Sequence, residues 1–418
     1  MPEEETMRLR RTTALGCLIC LLAACASAGE APPGTAAIDA SDHPSLQAAF
    51  DALPPAGGIV HIPPGQYPLT EPIVLTRPNT RVEGAGTATH LVNRNEEGKP
   101  ALIVRPPDRA TNRRSRVWRV QLAHVRISGN PKSGDGVLAE GVNELFVHGL
   151  AVDHNGGHGL NLVDCYEDPR VADCIVTYNA KAGLNLLGCH DIVVSANQFE
   201  ENQDGVRCLD GYNLCMTGNC LDDHLRHGVV IENTYGSVVS GNMIEECRGT
   251  AIVLDRDCYG IALSSNVIAH NGTGVDLRDA WGCAVSANTF TINTARGLAI
   301  GPKSGRTAVT GNTFCNTYIG DGRLRRTKPG QDAAAGIVLE GTADITVSAN
   351  VFSGLAGSAV RADKACRRLL LTGNVLTDLG REKPGAAPPV DLGEADAQMQ
   401  NNLINPQNHT QPEERRND

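Results

Sequence analysis

At 418 residues with a formal net charge of −10 and 41% hydrophobic residues, the chain can bury a sizeable core and is too acidic for non-specific binding to nucleic acid. Only 4% of its residues are aromatic while glycine numbers 45. That excludes a core built on large rings and favours a thin one of Val, Ile, Leu and Ala with many tight turns.

Residues 1–28 read as an export signal. Met7-Arg8-Leu9-Arg10-Arg11 is a basic stretch, and residues 14–24 form an apolar run too short to span a bilayer as a folded helix. The run ends Leu22-Ala23-Ala24-Cys25, which resembles a bacterial lipobox. The resemblance implies lipidation of Cys25 and anchoring to the outer membrane; a rival cleavage would follow Ala26-Ser27-Ala28. The mature protein is therefore expected in the periplasm, on the cell surface or secreted.

Residues 45–53 pattern as a short amphipathic helix, and everything from 38 to 405 is expected to form one body. From Asp135 onward one phrase recurs: a polar or small residue, then Gly or Ala, then apolar-x-apolar. A second phrase follows the copies from Ala182 onward, apolar-Ser/Thr-x-Asn-x-apolar, with its asparagine at Asn197, Asn219, Asn242, Asn266, Asn288, Asn312, Asn350 and Asn374. The steps are 22, 23, 24, 22, 24, 38 and 24 residues. Such a period predicts a stacked solenoid in which each coil touches only its neighbours. Within a coil, the glycine is expected to supply a positive-φ corner and Val206 and Cys208 to face in, with Arg207 facing out. The asparagine is expected to tolerate a left-handed bend and to bond its counterpart in the next coil.

Three short strands in 22–24 residues resemble the right-handed parallel β-helix of the pectate-lyase superfamily. The resemblance implies an all-β, single-domain solenoid. The phrase from Gly57 to Tyr67 (GGIVHIPPGQY) is similar to the N-terminal cap of secreted polysaccharide-active β-helices, with the 45–53 helix covering the open end. The long step holds a basic insertion at 316–335 with Arg323, Arg325, Arg326 and Lys328, and 406–418 reads as a loose tail.

Export permits disulfides, but Cys165, Cys189 and Cys258 fall into one column with Tyr212 and Tyr235 in the intervening slots, as packing residues of a ladder would. No pair has CxxC spacing, so mostly free, buried thiols are expected.

In enzymes of the resembling fold, substrate lies along the strand after the glycine corner. The corner column runs Asp135, His158, Ala182, Asp204, His227, and the first outward strand column runs Leu138, Asn161, Asn185, Arg207, Val230. Neighbouring coils are about 4.8 Å apart, so Asp204 could orient His227 and raise its pKa for general-base work. Arg207 or Lys181 could neutralise a sugar carboxylate while charge develops at the adjacent carbon. This assigns His227, Asp204, Arg207 and Lys181 to catalysis, and His158, Asn161, Asn185, Arg226, Glu232 and the insertion arginines Arg323, Arg325 and Arg326 to substrate. The inventory suits a lyase or epimerase acting on a uronic acid. Arg226-His227-Gly228-Val229-Val230-Ile231 loosely resembles a His-Gly-apolar stretch of bacterial mannuronan C5-epimerases. Their Asp-Pro-His signature is missing, with Leu221-Asp222-Asp223-His224 a distant echo. Hydrolysis of the polygalacturonase kind is disfavoured, because His227 follows Asp223 about one coil too early.

No cofactor is expected. Calcium is the metal worth testing, and Asp153, Asp164, Asp168, Asp173 and Asp191 lie close in sequence but on different faces. The expected partner is an acidic polysaccharide, with no nucleic acid; nothing in the sequence fixes an oligomeric state, and a monomer is expected. The competing reading is a non-catalytic surface β-helix that binds glycans. A copper-accessory solenoid is disfavoured by the lack of Met clusters and tight His/Cys pairs.

Overall fold

The computed structural model describes residues 36–316, 333–380 and 387–405. The export segment with Cys25, most of the basic insertion and the tail lie outside them.

Every coil repeats the same hydrogen-bonded path. The strand Asp204–Leu209 pairs in parallel with Ala182–Leu187 on one side and His227–Glu232 on the other, and thirteen such strands form one sheet. The other two strands of the coil, here Cys215–Thr217 and Cys220–Asp222, belong to a 29-stranded sheet that wraps the remaining faces. The register is fixed by alternation: Val206 and Cys208 are buried while Arg207 and Leu209 are partly exposed, and a slip of one residue would turn the core outward. At the N-terminal end the helix Leu46–Asp51 starts at Ser45, whose Oγ accepts from the Ala48 N–H, and it buries Leu46, Ala49 and Phe50. None of the described helices is long and apolar enough to cross a membrane.

The asparagine column forms as expected. Asn219 Nδ2 donates to Asn242 Oδ1 at 2.9 Å, Asn242 to Asn266 at 3.0 Å, and the chain of amides continues through Asn350 and Asn374 to Asn402. The left-handed residue, however, is the one before each asparagine: Ala196, Gly218, Gly241, Ser265, Ala287, Gly311, Ala349 and Gly373 all have φ between 53° and 68°. The corner glycines also differ from expectation. Gly159, Gly183, Gly205 and Gly228 do not have positive φ; a Cβ on Gly205 would sit 2.5 Å from His224 Nε2 and 2.6 Å from the Gly228 carbonyl oxygen. They are glycine for clearance rather than for backbone freedom.

A second ladder stands at the opposite end of the third strand. Asn155, Asn179 and Asn202 are bonded in sequence, and Asn271 continues to Asn293. His224 and Cys247 take the places between: the Asn202 N–H donates to His224 Nδ1, and the Cys247 N–H to Asn271 Oδ1.

All eleven cysteines from Cys165 to Cys366 are free and eight are buried. Their column corrects the sequence reading. His190, Tyr212, Tyr235 and Tyr259 are the residues in register, one position after Cys189, Gly211, Thr234 and Cys258. The cysteines therefore point in and the tyrosines out.

Candidate functional site

The thirteen-stranded sheet carries the predicted outward column in register: Leu138, Asn161, Asn185, Arg207, Val230, Val253 and Asp276 lie side by side. At its start Asp135 organises two groups, accepting the His158 N–H at 2.7 Å and the Asn161 side-chain amide at 2.8 Å. Asn185 donates in turn to Asn161 Oδ1 at 2.9 Å. One coil on, Arg207 donates to Glu232 at 2.8 Å, and Arg256 lies 3.7 Å from the same carboxylate. Arg278 and Asp276 continue the charged strip with a 2.8 Å pair. Asp135, Arg256 and Arg278 were not singled out from sequence; Asp135 and Arg278 occupy the same columns as chosen residues, whereas Arg256 lies just past the strand end and carried no column signal.

The corner column does structural work that its polarity had disguised. Its side chains accept backbone N–H groups from the following coil: Ala182 N–H donates to His158 Nδ1 at 3.2 Å, and Thr250 N–H to His227 Nδ1 at 3.0 Å. Each imidazole, when neutral, therefore carries its proton on Nε2. Asp204 does not orient the His227 ring. Its carboxylate is buried, accepts the His227 backbone N–H at 3.2 Å, and is clasped through both oxygens by the Arg226 guanidinium, with Nε at 2.8 Å. The expectation of a raised His227 pKa is also reversed. Burial lowers it more than the Asp204 charge raises it, and the Arg226 and Arg278 charges add to the lowering. His158 is lowered by the same leading cause, opposed by Asp135 and reinforced by Lys181 and Arg207.

Arg207, Lys181, His158, Asn161 and Asn185 thus share one neighbourhood. Asp204 is closed to solvent, Arg226 is its half-exposed clasp, and Glu232 is the partner of Arg207. Arg323, Arg325, Arg326 and Lys328 lie outside the described residues. Farther along the same sheet face, a cleft of about 560 Å³ is lined by Val338, Glu340, Arg361, Asp363 and Asp391.

His224, the echo of the epimerase signature, belongs to the second ladder. It is fully buried, and burial holds its pKa down to about 4. The aspartates considered for calcium are dispersed: Asp153 pairs with Arg126 at 3.0 Å, Asp173 with His148 at 3.3 Å, and Asp191 accepts from Asn213 at 2.8 Å. Carboxylates converge elsewhere, at the bend after the third strand. Ligand atoms of Glu245, Glu246 and His270, and of Asp222, Asp223 and Glu246, come within 4.8 Å of one another.

Two family models match the sequence: a right-handed β-helix region over residues 111–220, and the periplasmic copper-binding protein NosD over residues 171–329. No curated protein matches it. Among solved structures, the A-module of the Azotobacter vinelandii mannuronan C-5 epimerase AlgE6 superposes with a TM-score of 0.60 at 16% identity, over 88% of this chain and 100% of that one. The lidless DFA-IIIase of Arthrobacter chlorophenolicus A6 gives a TM-score of 0.60 at 15% identity, over 88% and 99%. Tailspike protein 3 of bacteriophage CBA120 gives 0.52 at 14%, over 79% and 59%. The chain is a right-handed parallel β-helix that resembles polyuronate epimerases in fold.

Proposed function

We propose that this protein is an exported, carbohydrate-active β-helix that acts on an acidic polysaccharide through proton transfer at a uronic acid, as a lyase or a C5-epimerase. The observation that carries this reading is the grouping of Arg207, Lys181 and His158 over the Asn161 and Asn185 amides on one outward sheet face. Arg207 neutralises the sugar carboxylate, which stabilises charge developing at C5. His158 and His227 offer Nε2–H as hydrogen-bond donors to a leaving oxygen in elimination or to the enolate oxygen in epimerisation, and solvent supplies the proton that the product then takes up. Lys181 is the group left to take the C5 proton, which leaves the sugar carboxylate to Arg207. Export rests on the leader and on the periplasmic character of the matching NosD family.

A second reading, a glycan-binding protein without catalysis, has its own support. His158, His227 and Asp204 all use an acceptor on backbone N–H groups, which a stacking role alone would explain. Copper is a third chemistry, raised by the NosD match; the soft donors best placed for it are Cys220 and Met243, in register on neighbouring strands with Met243 exposed.

The test is incubation with alginate, pectate and glycosaminoglycans, following absorbance of unsaturated products and C5 inversion by NMR. Product is expected from a polyuronate, with kcat reduced at least 100-fold in Arg207→Ala and Lys181→Ala. Silence with every polymer would leave the binding reading.

A further inference from the structure

The chain has few aromatic side chains, seven Tyr and two Trp among them, yet it places five of these in a single outward column. Tyr166, His190, Tyr212, Tyr235, Tyr259 and Trp281 follow one another on successive coils, in register from His190 to Trp281. Ring centroids are 4.5, 4.6, 6.4 and 5.8 Å apart from Tyr166 to Tyr259. The rungs extend the stripe over about 24 Å at the usual strand spacing.

Two observations separate this stripe from a packing stack. The interior stack of Phe290, Phe314 and Phe352 is buried, and its rings are parallel within 7°. The outer stripe leaves Tyr212, Tyr235 and Tyr259 at 47%, 52% and 49% exposure. Tyr235 and Tyr259 lie parallel within 3°, but Tyr212 is tilted 61° from His190 and 55° from Tyr235, so the stripe is not one continuous closed stack. Large aromatic surface left open in one continuous patch marks a binding surface.

The surroundings indicate the occupant. Arg116 lies over the Tyr166 ring at 4.7 Å at one end, and Arg306 over the Trp281 ring at 5.7 Å at the other. Between them, exposed amide–carboxylate pairs bridge neighbouring coils, Asn213 to Asp191 at 2.8 Å and Asn233 to Asp210 at 2.6 Å. Flat apolar faces, hydroxyl-binding amides and carboxylates, and terminal guanidiniums match a chain of pyranose rings that bears carboxylates. The rung spacing is comparable to the length of one sugar unit.

We propose that this stripe is a polysaccharide-docking surface that holds an acidic glycan along the solenoid axis, outside the sheet face assigned to chemistry. The inference rests on the acidic-polysaccharide reading for its polymer class and not on catalysis. The test is affinity electrophoresis of the whole protein through gels containing alginate, pectate or a neutral β-glucan, with size-exclusion chromatography alongside. Two variants are compared with the native chain: Tyr212→Ser/Tyr235→Ser/Tyr259→Ser, and Lys181→Ala/Arg207→Ala. Circular dichroism and Tm establish that each is folded, and should the triple variant fail to fold, Tyr235→Ser alone and quenching of Trp281 fluorescence by the polymer replace it. Retention by a polyuronate, weakened at least tenfold in the stripe variant and kept in the sheet-face variant, is expected. Native retention in the stripe variant, retention by the neutral glucan alone, or no retention by any polymer overturns the proposal. So does a native dimer that the stripe variant converts to monomer. Stripe-dependent retention without any product would overturn the catalytic reading alone.

Discussion

His224 is closed to solvent, its Nδ1 accepts the Asn202 N–H, and its Nε2 meets no acceptor. Burial therefore keeps the ring neutral, with its pKa pushed from the usual 6.5 down to about 4. A depressed folded pKa gives stability that is complete above 6.5 and is lost as pH falls toward 4. By pH 5 the loss should be about 2 kcal/mol. Asp222 acts in the opposite sense, because burial first and then Glu245, Asp223, Glu246 and Glu200 raise its carboxyl to about 6. Comparing melting curves of native protein and His224→Asn between pH 7 and 5 isolates the histidine. The variant should lose less stability on acidification, and parallel curves would refute this account. A second residue-scale effect lies at the left-handed position before each ladder asparagine. Ala196, Ala287 and Ala349 hold φ of 56°, 54° and 53°, where Gly218, Gly241, Gly311 and Gly373 stand in other coils. Replacement of each by Gly should raise stability by about 0.5–1 kcal/mol, measured by urea unfolding, since the strain of a Cβ there exceeds the entropy that glycine loses.

The asparagine ladder is the element most strongly specified. Asn242 accepts from both the backbone and side-chain nitrogens of Asn219 and donates to the Met216 carbonyl and to Asn266, all out of water. Asn242→Ala should cost about 3 kcal/mol, because it strands two buried donors, whereas Asn402→Ala at the more exposed last rung should cost clearly less. Denaturant titration of the two variants decides it. This ladder was legible because its asparagines share one chemical identity and one flanking pattern. The second ladder was not, because His224 and Cys247 interrupt its asparagines and no period in residue type survives. The corner glycines show a similar limit: a recurring Gly signals that a Cβ is not tolerated, but not whether φ or a neighbour at 2.5 Å forbids it. At the candidate site, the columns and the outward Arg207 were readable from alternation. The direction of each hydrogen bond was not. Asp204 beside His227 looked like an orienting pair, and only geometry shows that its carboxylate belongs to Arg226 and a backbone N–H.

Across the molecule, the residues Ala36–Asp418 behave as one unit built by repetition, and its cohesion does not depend on disulfides. Burial pushes the Cys174, Cys247 and Cys258 thiols up to about 12, far from the thiolate form that oxidises or alkylates. Protection should therefore follow the stack rather than redox conditions. In the native protein, Cys215, Cys220 and Cys315 are the thiols from Cys165 onward that reach solvent. A solenoid is stabilised by nearest-neighbour contacts, so its ends open before its middle. Cys366, on the last full coils, should become reactive at lower denaturant than Cys208 or Cys247, which have many coils on either side. Iodoacetamide labelling mapped by mass spectrometry along a urea series tests this order. Cys215, Cys220 and Cys315 should label without urea, Cys366 next, and the central thiols last. Simultaneous labelling of all buried cysteines would mean that the coils unfold as one cooperative block, and that the ladders couple them more tightly than contacts between adjacent rungs imply.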